Sequence, residues 1–234
     1  MTVFDDLTSF ERITPSAGFP GWSELPYTFT YPPAWFADLE RRGVDLAKLR
    51  TTQLDPPSQW SVDESTGILT CLGNGPHSWL RFDRPMRDFR AHVEWRFVKL
   101  ERPALYNSGV FVRNDPARNI FTQIETGFDR RTAGFFFTKK FVEGNKTAVY
   151  GLRPAGENQY VPFDPFDPDI PNLINPAGEW NTYDIAVVGR EAKLWTNQVH
   201  NSLFTCELDE GYFGLEAEMH HIEFRNIAIS EHPR

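Results

Sequence analysis

The clearest pattern along the chain is an alternation of apolar and polar residues with a period of two. Between Phe89 and Phe97 every second residue is apolar, and the residues between them are Arg, His, Glu and Arg. Successive side chains of a β-strand point to opposite faces, so this segment predicts a strand with one buried face. About a dozen short segments of this kind, separated by turn residues, are typical of a sandwich or a barrel.

Neighbouring segments indicate how these strands connect. Trp60–Asp63 and Ile68–Leu72 flank a turn that ends at Gly67, which is a hairpin pattern. The strand pattern continues to Ile222–Ser230. We therefore expect an all-β protein, and one domain over residues 1–234, because a β-sandwich often reaches about 200–250 residues as a single unit.

Two stretches with several prolines interrupt the strand pattern. Residues 23–58 contain the one stretch with helical spacing of apolar residues, Ala34 to Arg50, which is interrupted at Gly43. We expect a partly helical insertion there that packs on the sandwich, because it is too short to have a core of its own. Residues 143–178 are rich in proline, which predicts a long loop or flap that forms one side of a functional groove.

Composition and charge narrow the classes of partner. The net charge is −8 and no basic run is longer than a pair, whereas nucleic-acid binders normally show a basic face. No segment approaches the ~18 apolar residues of a membrane span, and the N-terminal segment has acids where a secretory signal needs a basic start. Nucleic acid and membranes are therefore not expected as partners, and the expected location is cytoplasmic. Cys71 and Cys206 are read as two buried thiols, with a disulfide as the alternative.

Three motifs occur in order along the chain. They are Asn107–Arg113 (NSGVFVR), Gly178–Ile185 (GEWNTYDI) and Glu223–Ile227 (EFRNI). With weaker matches around them, they resemble the 3-keto-disaccharide hydrolase domain family, which is loosely labelled family 16 glycoside hydrolase, over about residues 58–230. The resemblance implies a concanavalin-like jelly-roll β-sandwich of two antiparallel sheets, with a ligand groove on one face. The 23–58 insertion lies outside it.

The chain departs from the family pattern at two places, one of which is the family's usual Asn-Gly turn, Asn197-Gln198 here. That pattern typically has a glutamate two residues before the position of Gln123, where this chain has Phe121. A carboxylate stands instead two residues after Gln123, at Glu125. The change at Phe121 puts a simple transfer of the family's chemistry in doubt.

Acidic residues on two predicted strands are the first candidates for chemistry. Gln123 and Glu125 share a strand face, about 6.5–7 Å apart. Glu216, Glu218 and His220 share a face while their strand stays regular, and carboxylates in unequal environments can divide into acid and base. Glu218 and Glu125 are the candidate catalytic carboxylates, His220 is a candidate proton shuttle, and Gln123 and Glu216 are candidate binding residues. The alternatives are solvent-facing polar residues on a strand and a histidine in a loop.

Arg113 and Asn107 are candidates from the NSGVFVR motif. An arginine in a groove can bind ring hydroxyls, a carbonyl or a carboxylate with its planar fork, so Arg113 is a candidate catalytic residue. Asn107 would bring an amide to the groove rim, unless it serves only the turn.

A phenylalanine-rich segment and a tryptophan complete the candidate binding residues. Phe135 and Phe137 share one face and are expected to line the groove, unless the strand is simply buried on both faces. Lys139 would then pair with an anionic or carbonyl group of the ligand. Trp180 is either a stacking platform for a sugar ring or a core residue.

Three functions are consistent with this set. The first is an enzyme of the 3-keto-glycoside hydrolase or lyase type, as the resemblance implies, and its ligand would be a small sugar derivative. The second is a related biosynthetic cyclase, isomerase or lyase for an apolar metabolite, which a groove lined by Phe135, Phe137 and aromatic residues of 27–36 would favour. The third is a non-catalytic carbohydrate-binding module. The histidines show no metal-ligand spacing and no glycine-rich phosphate loop occurs, so neither a metal nor a cofactor is expected.

Overall fold

The chain folds into two antiparallel sheets packed face to face, which confirms the predicted all-β jelly-roll sandwich. Two short helices lie in the insertion near the N-terminus. The structure is a computed structural model that describes residues 2–4, 6–29, 31–54, 59–98, 106–127, 133–142 and 145–231.

The described residues contain seventeen strands. In chain order these are β1 (Glu11–Arg12), β2 (Trp22–Pro26), β3 (Trp60–Asp63), β4 (Ile68–Cys71), β5 (Ser78–Phe82), β6 (Phe89–Phe97), β7 (Asn107–Asn114), β8 (Gln123–Gly127), β9 (Phe136–Val142), β10 (Asn145–Tyr150), β11 (Leu152–Gly156), β12 (Gln159–Pro162), β13 (Asn181–Val188), β14 (Glu191–Thr196), β15 (Val199–Thr205), β16 (Tyr212–Ala217) and β17 (Ile222–Glu231). The helices are α1 (Pro33–Arg41) and α2 (Leu46–Thr51).

The strand order places distant parts of the chain side by side. One sheet has ten strands in the order β12-β11-β15-β14-β13-β6-β17-β4-β3, with β1 also paired to β17. The other has seven strands in the order β10-β9-β8-β7-β16-β5-β2. Strand β17 therefore lies inside the larger sheet, between β6 and β4.

The core lies between the two sheets and follows the alternation seen in the sequence. Ala91, Val93 and Trp95 of β6 are fully buried, and Val110 and Val112 of β7 meet them from the other sheet. Each fully buried side chain of this size contributes about 1.5–3 kcal/mol relative to exposure. The predicted strand at Phe89–Phe97 is thus confirmed with its predicted buried face.

The outer face of the seven-stranded sheet carries a second apolar cluster, which we call the aromatic wall. Phe29, from the insertion, packs with ring centroids 5.6 Å from Trp79 and 5.2 Å from Phe121. Phe121 is therefore a buried wall residue, at the position where the family pattern has an acid. The members of the wall are Leu25, Tyr27, Phe29, Trp79, Phe111, Phe121 and Phe137.

The insertion is helical as predicted, and it breaks where predicted. Gly43 has a φ of +79°, a backbone conformation that favours glycine, and separates α1 from α2. Asp45 caps α2 by accepting a hydrogen bond from the backbone N–H of Lys48 at 3.0 Å. Arg50 of α2 donates to the carbonyl oxygen of Ala117 at 3.1 Å, which ties the insertion to the connection between β7 and β8.

The proline-rich stretch 143–178 is less irregular than its sequence suggests. Strands β10, β11 and β12 occupy residues 145–162, so the prediction of a continuous loop is wrong for this part. Pro162 ends strand β12 at the edge of its sheet, where a missing N–H is tolerated. The irregular part is residues 163–178, which we call the flap, and an ion pair between Arg153 and Asp167 at 3.0 Å fixes it to β11.

Both cysteines are buried free thiols, as the sequence indicated. Burial raises the pKa of the Cys71 thiol to about 12, so it stays protonated and unreactive at ordinary pH. Among the helices of the described chain, none combines the length and the apolar character needed to span a membrane.

Candidate functional site

A groove of about 660 Å³ lies on the outer face of the seven-stranded sheet, beside the aromatic wall. Its lining is mostly polar and charged, with three aromatic rings. The lining residues are Tyr27, His77, Asn107, Gln123, Glu125, Phe137, Lys139, Lys146, Ala148, Tyr150, Pro165, Glu216 and Glu218.

Glu216 is a carboxylate of the groove with a hydrogen-bonding partner on each oxygen. It lies on β16 and its side chain is only 3% exposed. Its Oε2 accepts a hydrogen bond from Gln123 Nε2 at 2.6 Å, and its Oε1 lies 2.8 Å from His77 Nε2. A carboxylate with a partner on each oxygen keeps one orientation, so Glu216 fixes both neighbouring side chains in turn.

A glycine makes room for this arrangement. Gln123 on β8 reaches Glu216 on β16 by crossing β7 at Gly109. A Cβ on residue 109 would lie 2.1 Å from Gln123 Nε2, so a side chain there is incompatible with the observed Gln123 position. The side-chain amide of Gln123, which crosses β7 at this point, thus explains why the NSGVFVR motif has a glycine at residue 109.

We expect Gly109→Ala to displace Gln123 and to break its hydrogen bond to Glu216. Overpacking of this kind destabilises by about 1–3 kcal/mol, which thermal unfolding would show. Gly156→Ala is the matched control, because a Cβ there meets its nearest neighbour, Gln159 Oε1, at 3.4 Å. In the double variant Gly109→Ala/Gln123→Ala the clash is removed and stability should return. Unchanged stability in Gly109→Ala would contradict the explanation.

Tyr27 and His77 form one side of the groove. Their rings stack at 3.9 Å with an angle of 9°. Burial, and then the charges of Glu216, Glu218 and Glu125, raise the pKa of Tyr27 well above its ordinary value, so its hydroxyl keeps its proton. His77 is 36% exposed in its side chain, so its ring has the Glu216 carboxylate on one side and the open groove on the other.

Glu125 and Glu218 bring two further carboxylates to the groove, as the strand pattern predicted. The backbone of Glu125 is held firmly, because its carbonyl oxygen accepts from Tyr183 Oη and from the N–H of Gly134, both at 2.8 Å. Strand pairing aligns Glu125 with Gly109 and aligns Gly214 of β16 with Phe111. The carboxylates of β8 and β16 therefore flank the side-chain-free position at Gly109.

Basic and aromatic side chains occupy the side of the groove formed by β9 and β10. Lys139 lies on β9, and its Nζ is 5.5 Å from the centroid of the Phe137 ring. Lys146 and Tyr150 come from β10, and the Tyr150 ring lies 6.1 Å from Phe137. Burial, and then the charge of Lys146, lower the pKa of Lys139.

Arg113 is not in the groove, which corrects the prediction from strand parity. Its backbone has a φ of +53°, and the pairing of β7 with β16 shifts register between Tyr212 and Gly214. The guanidinium group is buried at the end of the sandwich, where it donates to the carbonyl oxygens of Arg87, Gly189 and Leu208 and pairs with Asp88 at 3.2 Å. Arg113 has a structural role.

His220 and Phe135 also lie outside the groove lining. Regular strand β16 ends at Ala217, so the parity rule no longer applies at His220. Its Nδ1 accepts from the backbone N–H of Asn107 at 3.2 Å, and its ring packs on Tyr106 at 4.4 Å. Phe135 stacks on Phe163 of the flap at 3.8 Å and so anchors the flap instead of contacting a ligand.

Trp180 lies on the opposite sheet. It is sandwiched between the guanidinium groups of Arg96 and Arg225, at 4.4 and 3.9 Å. Those arginines pair with Glu223 and Glu94 at 2.7 Å each. The prediction of Trp180 as a sugar platform in the groove is therefore wrong, because β6 presents Arg96 on the face away from the core and away from the groove.

Six lining residues were not named as candidates from the sequence, namely Tyr27, His77, Lys146, Ala148, Tyr150 and Pro165. His77 precedes β5 by one residue and belongs to no motif. The signal that was available is the parity of Trp79 on β5, which extends to His77 on the same face. Within the described part of the chain, no group of three or more His, Cys, Asp or Glu residues is arranged to hold a metal ion.

Comparisons with known proteins fit this fold. No curated protein sequence matches the chain. Two solved structures from Parabacteroides distasonis ATCC 8503, each described as a proposed glycosyl hydrolase, are similar to it. The first has a TM-score of 0.52 at 15% identity and covers 92% of this chain and 90% of its own. The second has a TM-score of 0.51 at 17% identity and covers 76% and 93%.

The sequence itself matches one family. The profile of the 3-keto-alpha-glucoside-1,2-lyase-like domain matches residues 43–230, which is most of the 234-residue chain. The match includes all the strands that carry groove residues, which are β7, β8, β9, β10 and β16. The chain therefore belongs to the family of 3-keto-alpha-glucoside-1,2-lyase-like domains.

Proposed function

We propose that this protein is an enzyme of the 3-keto-glycoside hydrolase or lyase type, which uses carboxylate acid–base chemistry in the groove. The observation that carries the proposal is Glu216, a buried carboxylate held between His77 and Gln123. It shares the groove with Glu125 and Glu218. A cluster of three carboxylates and one histidine supplies both a proton acceptor and a proton donor.

The reaction that suits these groups is an elimination. A ketone at C3 of the sugar acidifies the proton on C2, and Glu218, with Glu125 as the alternative base, accepts that proton. The electrons of the C2–H bond form a C1=C2 double bond, and the bond from C1 to the aglycone oxygen breaks. His77, backed by Glu216, gives its proton to the departing oxygen. Addition of water across the double bond then completes hydrolysis, and no covalent enzyme intermediate is needed.

The lining of the groove supports a sugar-type ligand over an apolar one. Tyr27 and Phe137 do line it, but Phe135 does not, and eight of the thirteen lining residues are polar or charged. An apolar metabolite would leave these groups without hydrogen-bond partners, which is costly when they are desolvated. The reading as a biosynthetic enzyme for an apolar substrate is therefore less well supported.

The test is turnover of a 3-keto-α-glucoside with a chromogenic aglycone. We expect Glu218→Gln and Glu125→Gln each to lower kcat/KM by about a hundredfold to ten-thousandfold, the range of general acid–base catalysis. Glu157→Gln is the matched control, since Glu157 is exposed in the turn between β11 and β12. Full activity in both groove variants would exclude the assigned roles.

The same experiment separates an enzyme from a carbohydrate-binding module. A module would bind the 3-keto-glucoside, or the corresponding glucoside, in a titration and release it unchanged. Incorporation of deuterium from the solvent at C2 detects proton removal even where the aglycone stays attached. Binding with neither turnover nor exchange would support the module and reject the enzyme.

A further inference from the structure

Two lysines stand together on the β9–β10 side of the groove. Lys139 pairs across the hairpin with Ala148, and Lys146 pairs with Phe141, two cross-strand positions further along. Residues 139 and 141 have the same parity on β9, so both lysines belong to one face. Both line the groove.

The groove carboxylates Glu216, Glu125 and Glu218 act on Lys139 as more distant negative charges. Within the described part of the chain, neither ammonium group takes part in an ion pair. Lys139 is half-buried beside Phe137, and its pKa is lowered by burial and by the positive charge of Lys146. Two like charges in a partly desolvated groove repel each other, and a bound anion would relieve that repulsion at close range.

We propose that Lys139 and Lys146 form an anion subsite, so that the natural ligand carries a carboxylate, phosphate or sulfate in addition to its sugar ring. The inference deepens the proposed function and rests on it in taking the groove as the ligand site. It names the chemical class of the substrate, an acidic glycoside, in place of a neutral one.

The order of groups across the groove gives such a ligand one orientation. Glu216 binds Gln123 on β8, Gln123 pairs in register with Phe137 on β9, and Lys139 follows two residues later. The carboxylates repel an anion at their side of the groove, whereas the lysines attract it at the other. The rings of Phe137 and Tyr150 lie beside the lysines, where they can contact the C–H face of a sugar.

The test compares ligands that differ mainly in charge. Calorimetric titrations would use methyl α-D-glucopyranosiduronate and methyl α-D-glucopyranoside, with α-D-glucose 1-phosphate to distinguish a phosphate from a carboxylate. We expect wild type to bind at least one of the two anionic sugars about tenfold or more tightly than the neutral one. Equal binding of all three, or no binding of either anionic sugar, would overturn the proposal.

Variants then assign the preference to the two lysines. Lys139→Gln should reduce the anionic preference about tenfold, and Lys139→Gln/Lys146→Gln should abolish it. Lys140→Gln is the matched control, because Lys140 is the next residue of β9 and is exposed on the opposite face. If the double variant weakens neutral and anionic ligands equally, the lysines only balance the groove carboxylates and the subsite is rejected.

Failure of this inference differs from failure of the proposed function. Turnover of the 3-keto-glucoside without any charge preference would keep the reaction and reject the subsite. A charge preference that depends on Lys139, in a protein that neither turns over the 3-keto-glucoside nor exchanges its C2 proton, would keep the subsite and reject the reaction.

Discussion

Replacing Arg113 with methionine is expected to lower the free energy of unfolding by about 2–4 kcal/mol, because it leaves a buried cluster of acceptors without a donor. The guanidinium group, fully buried, binds the carbonyl oxygens of Arg87, Gly189 and Leu208 and the carboxylate of Asp88. These acceptors come from three connections between strands, which Arg113 joins at one end of the sandwich. Chemical denaturation with two-state analysis measures the loss.

The control for this prediction is Arg118→Met. Arg118 is 61% exposed in its side chain, and among the described residues its ion-pair partner is Asp115 at 2.5 Å. A surface pair of this kind contributes about 1 kcal/mol or less. Ligand affinity of the groove should survive Arg113→Met in any protein that remains folded, since the guanidinium group faces away from it. A stability loss no larger than that of Arg118→Met would refute the structural role.

Replacing Glu216 with glutamine should cause a loss of activity as large as that of Glu218→Gln while leaving the fold intact. Glutamine has nearly the same shape, but it removes the negative charge beside His77 and brings a second amide against the amide of Gln123. His77 then loses the carboxylate that orients its ring. We expect kcat/KM for the 3-keto-glucoside to fall by about a hundredfold to ten-thousandfold.

Two measurements make the Glu216→Gln result specific. The melting temperature should stay close to that of wild type, which shows that the loss is not one of folding. His77→Gln should cause a loss of similar size, and adding Glu216→Gln to it should cost little more, because the two residues act as one unit. Independent, additive losses would mean that His77 and Glu216 do not cooperate.

The sequence was most informative where strands are regular. The alternation in Phe89–Phe97 gave a central strand and its buried face, and the parity of Gln123 with Glu125 and of Glu216 with Glu218 placed four polar groups on one surface. These predictions succeed because a two-residue period has a direct geometric meaning in an extended chain.

The predictions failed where the backbone leaves that regular geometry. Arg113 has positive φ beside a register shift, so its side chain no longer follows the parity of Phe111. His220 comes after the end of β16. The environment of Trp180 depends on which distant strands it packs against. The alternation of residues around Trp180 contains no information on those contacts. Tyr27 reaches the groove only because the insertion crosses the sheet.

The aromatic wall also could not be predicted from the sequence pattern around each of its residues. Phe121 is unexpected as a substitute for an acid, but it becomes intelligible once Phe29 is known to pack on it at 5.2 Å. Phe29 and Phe121 are separated by about ninety residues, and a single sequence does not show that they are in contact.

The place of β17 inside the larger sheet has a consequence for how the protein is made. Until Ile222–Glu231 has emerged from the ribosome, β6 and β4 each lack one neighbour and β1 lacks the strand to which it pairs. About two hundred residues are therefore synthesised while these strand edges remain unpaired. Contacts between strands so far apart in sequence also form slowly. We expect synthesis to depend on chaperones that shield those edges, and yield in a cell-free system to rise when they are added.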